Sequence, residues 1–358
     1  SSCSGSWLVC RLSCGEKASA QSVMQRTSSW AIVLLCLGLR TCACKLLQAR
    51  IVDDALVFDE PNGFDRLLSE GVFFLQVPRG LNLTEIQMFG QQPQQFYKEK
   101  KLPITSRDNI FHRFENAQAE QLVLDDAILQ THYPSEIVDT ARSMASLGSK
   151  MLHSIFRHLR IPEELWKVGL ENCSGTDPQF SLSMSHYRPE LNFPGTAIHK
   201  DLSWITLLYT EMPGLEAFVN GQWLPVGPVP GHFTINFGSY LEVFTQHVAT
   251  PAVAALHRVV RQYSERHSFN VAVRPRDNAG GNVYSYLNQQ LVFLSSQKDF
   301  VHDMVHRHNT EDGSVSPSSQ LLSQEEEEDE EDEEHKEDEE EDEEDEEHKE
   351  DEEEDEED

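Results

Sequence analysis

The hydrophobic pattern divides the chain into a mainly helical part followed by a strand-rich part. Between residues 46 and 175 apolar side chains recur mostly every three or four positions, which indicates helices. The clearest helix is predicted over Ser135–Leu159, with Ser135 as its cap and Pro162 marking its end. One early strand is predicted over Gly71–Val77, where apolar, β-prone residues follow one another without interruption.

From about residue 179 the period changes to that of strands. Short β-prone runs now follow one another closely, and Asn220-Gly221, a strong signal for a two-residue hairpin loop, separates two of them. About eight short strands without intervening helices favour a sandwich, a jelly roll or a barrel. The predicted strands are Phe180–Tyr187, Ile205–Tyr209, Leu215–Val219, Gln222–Val226, His232–Phe237, Leu241–Phe244, Ala254–Val260 and His267–Val273.

Charge is distributed very unevenly along the 358 residues. The chain has 29 Lys+Arg and 61 Asp+Glu, a formal net charge of −32, but 30 of the acidic residues and two lysines lie in Glu325–Asp358. The rest of the chain therefore carries 27 basic and 31 acidic residues, a net charge of −4. Nucleic-acid binding requires a concentrated Lys/Arg surface, so we expect no nucleic-acid partner.

Residues 1–45 are predicted to form a leader outside the folded body. Met24 opens a segment whose short apolar run ends in small residues, as in a secretory signal peptide, and this run is too short to span a bilayer. A leader without a targeting role is the alternative. Only Cys173 of the seven cysteines lies outside the leader, so we expect a reduced, cytoplasmic protein. Secretion would make the sequons at Asn82 and Asn172 relevant.

Residues 316–358 are predicted to form a disordered acidic tail. The 13-residue sequence EEHKEDEEEDEED occurs twice in tandem, from Glu333 to Asp358, and offers no apolar side chain to a core. A solubilising extension is the simplest interpretation. Contact with a basic partner and weak Ca²⁺ binding are the functional alternatives.

A pattern typical of metal sites lies near the start of the strand-rich part. Alternate residues of an extended segment point to the same side, so His199 and Asp201 can converge on one ion. His257, on another predicted strand, supplies a second imidazole, and two His with one carboxylate suit non-haem Fe(II) and its reaction with O₂. Arg266 and Ser268 offer a guanidinium fork and a hydroxyl to the carboxylate of an acidic co-substrate.

These residues belong to longer segments that resemble a known family. The likeness is to the Fe(II)/2-oxoglutarate-dependent dioxygenases, in their isopenicillin N synthase-like branch, and it covers roughly residues 60 to 280. The segments that carry it are Leu67–Val77, Gln94–Pro103, His199–Val226, Ile235–Thr245, Leu256–Val259 and Arg266–Ser268.

The resemblance implies a fold and a domain organisation. The expected fold has a mainly β core, a double-stranded β-helix or jelly roll, with α-helices from an N-terminal α/β region packed on it. Residues 46–175 would form the N-terminal helical region and residues 176–280 the jelly-roll core. Residues 281–315 would form a C-terminal extension before the acidic tail.

The resemblance also implies roles for the candidate site residues. His199, Asp201 and His257 match the family's iron ligands. Arg266 and Ser268 match the pair that holds the distal carboxylate of 2-oxoglutarate.

Tyr187 matches less closely. It lies where the family commonly has an Asn-x-Tyr-Pro element whose tyrosine hydroxyl touches the co-substrate, but here Ser185 replaces the Asn and Arg188 replaces the Pro. Strand alternation places His186 and His267 on the opposite face from Tyr187 and its partners.

The implied activity is oxidation of a small organic substrate with Fe(II), O₂ and 2-oxoglutarate. Hydroxylation, desaturation and ring closure are all within the family's range, with release of succinate and CO₂. Two alternatives stay open at this point. An oxidase of the isopenicillin N synthase type would use Fe(II) and O₂ without 2-oxoglutarate, and a non-catalytic binding protein would use the acidic tail as an interaction arm.

Overall fold

The computed structural model describes residues 45–84, 87, 111–114, 116–170, 179–275 and 281–312, and every structural statement below concerns these residues. Four predicted features lie outside them: the leader up to residue 44, the Gln94–Pro103 segment, the Asn172 sequon and the acidic tail.

The part before residue 175 contains more strands than its pattern predicted. The single strand predicted over Gly71–Val77 is present as β3, but four further strands accompany it, so the prediction of only one strand was wrong. More of the described residues in this part lie in helices than in strands, as the pattern predicted. These strands are short and gain their order from pairing with distant segments, which a local pattern does not record. The strands are β1 (Gln48–Val52), β2 (Ala55–Phe58), β3 (Val72–Gln76), β4 (Phe111–Arg113) and β5 (Ala119–Asp125). The helices are α1 (Gly63–Glu70), α2 (Asp126–His132), α3 (Ser135–His158) and α4 (Glu163–Gly169).

The strand-rich part agrees closely with the pattern over its first five strands. Beyond them, the strand predicted over Ala254–Val260 is limited to His257–Val259, and the strands Asn282–Leu287 and Gln290–Ser296 were not predicted. The elements of this part are β6 (Phe180–Tyr187), β7 (Ile205–Tyr209), β8 (Leu215–Val219), β9 (Gln222–Val226), β10 (His232–Phe237), α5 (Ser239–Thr245), β11 (His257–Val259), β12 (Arg266–Val273), β13 (Asn282–Leu287), β14 (Gln290–Ser296) and α6 (Gln297–Asp312). The first five strands have their predicted bounds. The strand predicted over Leu241–Phe244 was wrong, because this segment is helical within α5. A segment of four residues, of which three are apolar, is too short to distinguish a strand from a buried helix by period.

Helix α3 has its predicted length but not its predicted cap. Pro134 occupies the capping position, and the Ser135 hydroxyl lies 3.2 Å from a carboxylate oxygen of Glu136 instead of bonding a backbone amide. Ser135 is thus already the first helical residue, one position too late to cap. None of the described helices combines the length and the apolar character that a membrane crossing requires.

The described strands form a large sheet and a small one, in the jelly-roll arrangement that the resemblance implied, and β13 and β14 pair with each other in a separate two-stranded sheet. The large sheet has the order β2-β1-β3-β10-β7-β12-β6-β5-β4, and the small sheet has the order β11-β8-β9. Neighbouring strands are antiparallel except for the pair β1 and β3. Asn220 and Gly221 close the β8–β9 hairpin at φ 51° and 80°, as predicted for this loop.

The two faces of the large sheet have different partners. On the outer face Leu182 and Met184 of β6 belong to the core that includes Met144 of α3. Gly148 allows this helix to approach closely, because a Cβ atom there would lie 2.6 Å from a methyl group of Val273. On the inner face alternate residues such as Tyr187 pack in a second cluster with residues of the small sheet. The candidate site lies on this inner face.

Candidate metal and co-substrate site

A backbone bridge brings the two predicted histidine ligands side by side. His199 lies between β6 and β7, and His257 is the first residue of β11. The two residues exchange backbone hydrogen bonds of 3.0 Å in an isolated antiparallel bridge. Their ring centroids are 4.2 Å apart, so the bridge alone sets the separation of the two imidazoles.

Each imidazole is oriented by a backbone carbonyl two residues earlier. The Nδ1 atom of His199 lies 2.9 Å from the oxygen of Ala197, and the Nδ1 atom of His257 lies 2.9 Å from the oxygen of Ala255. A carbonyl oxygen only accepts, so Nδ1 carries the hydrogen in both rings. The lone pair of each neutral ring is then on Nε2, the atom that can bind a metal.

The third predicted ligand faces both Nε2 atoms. Oδ1 of Asp201 lies 3.6 Å from Nε2 of His199 and 3.4 Å from Nε2 of His257. All three ligand atoms lie within 4.8 Å of one another. Ligand atoms at right angles around a metal with bonds of about 2.1 Å are about 3 Å apart, so small side-chain movements suffice to close the group on one ion.

The Asp201 carboxylate is held in its ionised form. Its other oxygen, Oδ2, accepts a hydrogen bond of 2.7 Å from Nδ2 of Asn236. Burial alone would raise the pKa of Asp201, but the nearby His257 and His199 and the hydrogen bond from Thr206 outweigh burial and hold the pKa well below its usual range. Conversely, burial would lower the pKa of His257, and the charge of Asp201 raises it above the ordinary value.

Glu242 connects the two segments that carry the metal ligands. One of its carboxylate oxygens lies 2.7 Å from Nζ of Lys200, between the first two ligands, and the other accepts a hydrogen bond of 3.0 Å from the backbone amide of Ala254. The backbone amide of Ser239 also donates to the oxygen of Asp201, at 2.9 Å. Helix α5 therefore supports the ligand segments from one side.

Arg266 is buried beneath the inner face, and none of the described residues gives it an acidic partner. Only 1% of the residue is exposed, its Nε donates to the oxygen of Pro213 at 3.2 Å, and its Nη1 lies 3.4 Å from Oγ of Ser268. Its buried Nη2 has no hydrogen-bond partner within the described part of the chain. A buried cation is strongly destabilising unless an anion compensates it. The open side of this guanidinium fits a carboxylate, which it can bind through two parallel hydrogen bonds.

Tyr187 contributes the face of its ring to this arrangement. It lies in register opposite Arg266 across β6 and β12, and the guanidinium carbon is 4.5 Å from the ring centroid. The residues that depart from the family element have other contacts: Oγ of Ser185 accepts from Nε2 of Gln121 at 3.1 Å, and Arg188 lies 3.7 Å from Glu120.

The opposite face of the same strands carries a second group of histidines. His186 and His267 stack with centroids 4.8 Å apart and an interplanar angle of 14°, and Nδ1 of His186 lies 2.7 Å from Glu120. Glu265 lies near both rings. Two nearly parallel rings do not direct their Nε2 atoms at one point, so this group is less suited to an ion than the inner one.

Sequence reasoning missed the residues that hold the ligands in place. Asn236 was detectable as an amide between the apolar residues Ile235 and Phe237. The two orienting carbonyls gave no signal in the sequence, because every residue type carries a backbone carbonyl. Glu242 gave no local signal, because its partners are distant in the chain.

The comparison with family models agrees with this geometry. Residues 179–275 match the model of the 2OG-Fe(II) oxygenase superfamily. This range runs from β6 to the end of β12 and contains all six candidate site residues. Over this region the chain is similar to the 2OG-Fe(II) oxygenase superfamily. The family predicted by resemblance is thereby confirmed.

Individual relatives are similar over part of their length. The chain is 25% identical over 206 residues to 1-aminocyclopropane-1-carboxylate oxidase 5 from Arabidopsis thaliana, a stretch that is 50% of this chain and 66% of the relative. It is 37% identical over 145 residues to Protein DMR6-LIKE OXYGENASE 2 from the same plant, 39% of either chain. The chain thus spans about two-fifths to two-thirds of these relatives.

Solved structures share the fold of this chain. The 2-oxoglutarate complex of the Arabidopsis thaliana dioxygenase for auxin oxidation 1 superimposes with a TM-score of 0.52 at 15% identity, covering 71% of this chain and 97% of that one. A full-length Neurospora crassa protein, solved in complex with alpha-KG and thymine, gives a TM-score of 0.53 at 14% identity, covering 69% and 91%. Both confirm the jelly-roll fold.

Proposed function

We propose that the chain is an Fe(II)- and 2-oxoglutarate-dependent dioxygenase that oxidises a small organic substrate and releases succinate and CO₂. One observation carries the proposal. The convergent ligand atoms of His199, Asp201 and His257 share the inner face of the sheet with a buried Arg266 that lacks an acidic partner among the described residues. Similarity to the superfamily supports it.

The donor set fits Fe(II). Two neutral imidazoles and one ionised carboxylate converge from one side, so positions remain on the opposite side for other ligands. Bound Fe(II) would supply the activation of O₂ that couples oxidative decarboxylation of 2-oxoglutarate to oxidation of the substrate. His199, Asp201 and His257 would hold the ion. Asn236 would keep the carboxylate of Asp201 aimed at it.

Arg266 and Ser268 would hold the distal carboxylate of 2-oxoglutarate. The fork provides the charge, the hydroxyl provides a further donor, and the Tyr187 ring covers the guanidinium on one side. Because this end of the site is buried, the ion pair forms away from water, where it is stronger than at the surface.

An oxidase that uses Fe(II) and O₂ without 2-oxoglutarate is a second candidate. It is favoured by the names of several relatives, which are 1-aminocyclopropane-1-carboxylate oxidases. In that case Arg266 would bind a carboxylate of the substrate itself. A non-catalytic binding protein gains no support from a site in which three convergent ligand atoms occur together with a buried guanidinium open to an anion.

The test is conversion of 2-oxoglutarate by the purified full chain with Fe(II) and O₂. We expect CO₂ from the 1-carboxylate and an equal amount of succinate, even without substrate, at a slow rate. Arg266→Ala should lose this reaction at low 2-oxoglutarate concentration, whereas Arg142→Ala, which removes a half-exposed arginine paired with Asp126, should not. No succinate from the wild type, with iron bound, would favour the oxidase.

We further propose a cytoplasmic location, with the small-molecule substrate as the main partner. The secretory alternative predicts a mature chain that begins near Cys44 and carries a glycan on Asn82, which is exposed. Sequencing the N-terminus of the protein from its natural source, together with mass analysis of the Asn82 peptide, distinguishes the two. Contacts of the acidic tail with Ca²⁺ or a basic partner remain functional alternatives to a solubilising role.

A further inference from the structure

Part of the barrel interior is lined by polar but uncharged side chains. Strand β6 contributes three serines in alternation, Ser181, Ser183 and Ser185. Across the neighbouring strands, Asn270 of β12 is in register with Ser183, and Gln121 of β5 is in register with Ser185. We call these five residues the polar wall.

The polar wall faces the inside of the barrel. The intervening residues of β6, Leu182 and Met184, belong to the core beneath α3 on the outer face. Successive side chains of a strand point to opposite faces, so the serines point inward, as Tyr187 does.

The polar wall lies between the two ends of the candidate site. On β12, Asn270 is two residues beyond Ser268 on the same face. On β7, Leu208 is in register with Asn270 and is two residues from Thr206, which hydrogen-bonds Asp201. Two residues span about 6.6 Å along a strand. Asn270 is therefore about this distance from Ser268 at the co-substrate end, and the same strand spacing separates its register partner Leu208 from Thr206 at the metal end.

Part of the polar wall has unused hydrogen-bonding capacity: Gln121 donates to Ser185 at 3.1 Å, whereas the buried hydroxyl of Ser181 has no hydrogen-bond partner among the described residues. Asn270 and Gln121 are only half-buried, although β12 is an interior strand with a neighbour on each side. A side chain on an interior strand keeps this exposure only if a cavity lies above it. Buried hydroxyls are normally satisfied, so a ligand or water is expected there.

We propose that the polar wall binds the substrate and selects a small neutral molecule with several hydroxyl or amide groups. The inference rests on the proposed function, since it takes the space beside the metal and 2-oxoglutarate as the substrate site. An apolar molecule would leave the Ser181 hydroxyl and the Asn270 amide without partners. A charged molecule would lose hydration and find no opposite charge in the wall.

Binding of matched probes to the full chain tests this selectivity. Saturation-transfer NMR, with Zn²⁺ replacing Fe(II) and with 2-oxoglutarate present, would compare glutarimide with cyclohexanone and cis-cyclohexane-1,2-diol with cyclohexanol. Each pair has one ring size and differs in hydrogen-bonding groups. We expect the more polar member to bind about tenfold more tightly, the effect of one or two net hydrogen bonds.

Variants connect the preference to the polar wall. Asn270→Leu combined with Ser183→Ala should bring the affinity ratio of each pair close to one, with unchanged 2-oxoglutarate binding. Ser143→Ala, an exposed serine on α3, should behave as the wild type. Circular dichroism checks that each variant is folded.

Three results would overturn the assignment of the wall. They are equal or reversed affinities in the wild type, an unchanged ratio in the double variant, and no binding of any probe at millimolar concentration while 2-oxoglutarate binds. Tighter binding of cyclohexanecarboxylate than of every neutral probe would overturn it as well. Failure of 2-oxoglutarate itself to bind the wild type would instead overturn the proposed function on which the wall rests.

Discussion

The two ends of the site are built in opposite ways. At the metal end, His199 and Asp201 lie in the segment between β6 and β7, and His257 begins β11. Each of these side chains is fixed by a hydrogen bond with a neighbouring polar group: the two imidazoles donate to backbone carbonyls, and Asp201 accepts from Asn236. At the co-substrate end, Arg266 lies on a regular strand, and part of its guanidinium is buried without a partner among the described residues. The three proposed ligand side chains are therefore held in position before any ligand binds. The charge of Arg266, in contrast, is compensated only when an anion binds beside it.

Because of this difference, we expect the two ends of the site to respond differently when one of their side chains is replaced. If the proposed ligand assignment holds, removing one of the three side chains at the metal end should disrupt the arranged geometry and prevent iron binding. Removing the guanidinium at the other end relieves an uncompensated buried charge while it removes the anion site. Substitutions at the two ends should thus have opposite effects on the stability of the unliganded protein.

The largest effect is expected at the metal end. Asp201→Asn replaces the ionised ligand by a neutral amide, whose single oxygen can serve either the metal position or Nδ2 of Asn236 but not both. We expect Fe(II) affinity to fall by at least about a hundredfold, because a charged ligand is lost and its support is disrupted. Equilibrium dialysis with Fe(II) under anaerobic conditions measures this, and affinity within threefold of the wild type would contradict the ligand assignment.

A slightly smaller effect is expected at the co-substrate end. Arg266→Lys keeps a positive charge but loses the planar fork, and Arg266→Met loses both. Loss of a buried charge partner typically costs about 2–5 kcal/mol, so 2-oxoglutarate affinity in Arg266→Met should fall by about thirtyfold or more. Fe(II) affinity measured on the same sample should stay within a factor of two, since Arg266 contacts none of the three ligands.

Loss of the contacts that α5 makes with the ligand segments should lower Fe(II) affinity less than loss of a ligand does. Glu242→Gln weakens the interaction with Lys200 and with the amide of Ala254, so the two ligand segments lose their common anchor. Positioning groups around a metal typically contribute about 10–100-fold in affinity. The fall should appear in Fe(II) affinity and not in the thermal unfolding of the metal-free protein.

Stability of the unliganded chain should distinguish the two ends directly. Chemical unfolding of Arg266→Met without ligands should give a free energy equal to the wild type or higher by about 1 kcal/mol, because an apolar side chain replaces a buried cation that no anion compensates. Destabilisation of several kcal/mol would show that the contacts with Pro213 and Tyr187 dominate, and the two ends would then not differ as described.

The smallest expected effect is a pH dependence of stability that comes from His153, a residue outside the candidate site. Burial, and then the charge of Arg157, lower the pKa of His153, which packs on Trp166. The unfolded chain therefore binds this proton more readily, and stability should decline as pH falls below about 6.5, the ordinary pKa of histidine. His153→Phe should flatten that part of the pH profile of unfolding. This contribution must be subtracted before any pH effect is assigned to the metal end.

The sequence predicted what is local or periodic. The bounds of β6 to β10 and the β8–β9 hairpin follow from alternation and from Asn220-Gly221. The spacing around His199 predicted which side chains would meet, and the structure brings them together.

The remainder depends on contacts between distant segments. The pairing of β1 with β3 is set by long-range contacts, and the four residues Leu241–Phe244 are too few for their period to distinguish a helix from a strand. The groups that fix the ligands, above all Asn236 and Glu242, act on residues 35 and 42 positions away, so no local motif contains both partners.

An anaerobic titration tests the central claim most directly. Fe(II) and then 2-oxoglutarate are added to the full chain, and the visible absorption band of a 2-keto acid chelated to iron is followed. The account predicts that the band forms with the wild type, is absent from His199→Ala, and requires far more 2-oxoglutarate in Arg266→Ala. Iron binding without the band, or a band that persists in His199→Ala, would contradict it.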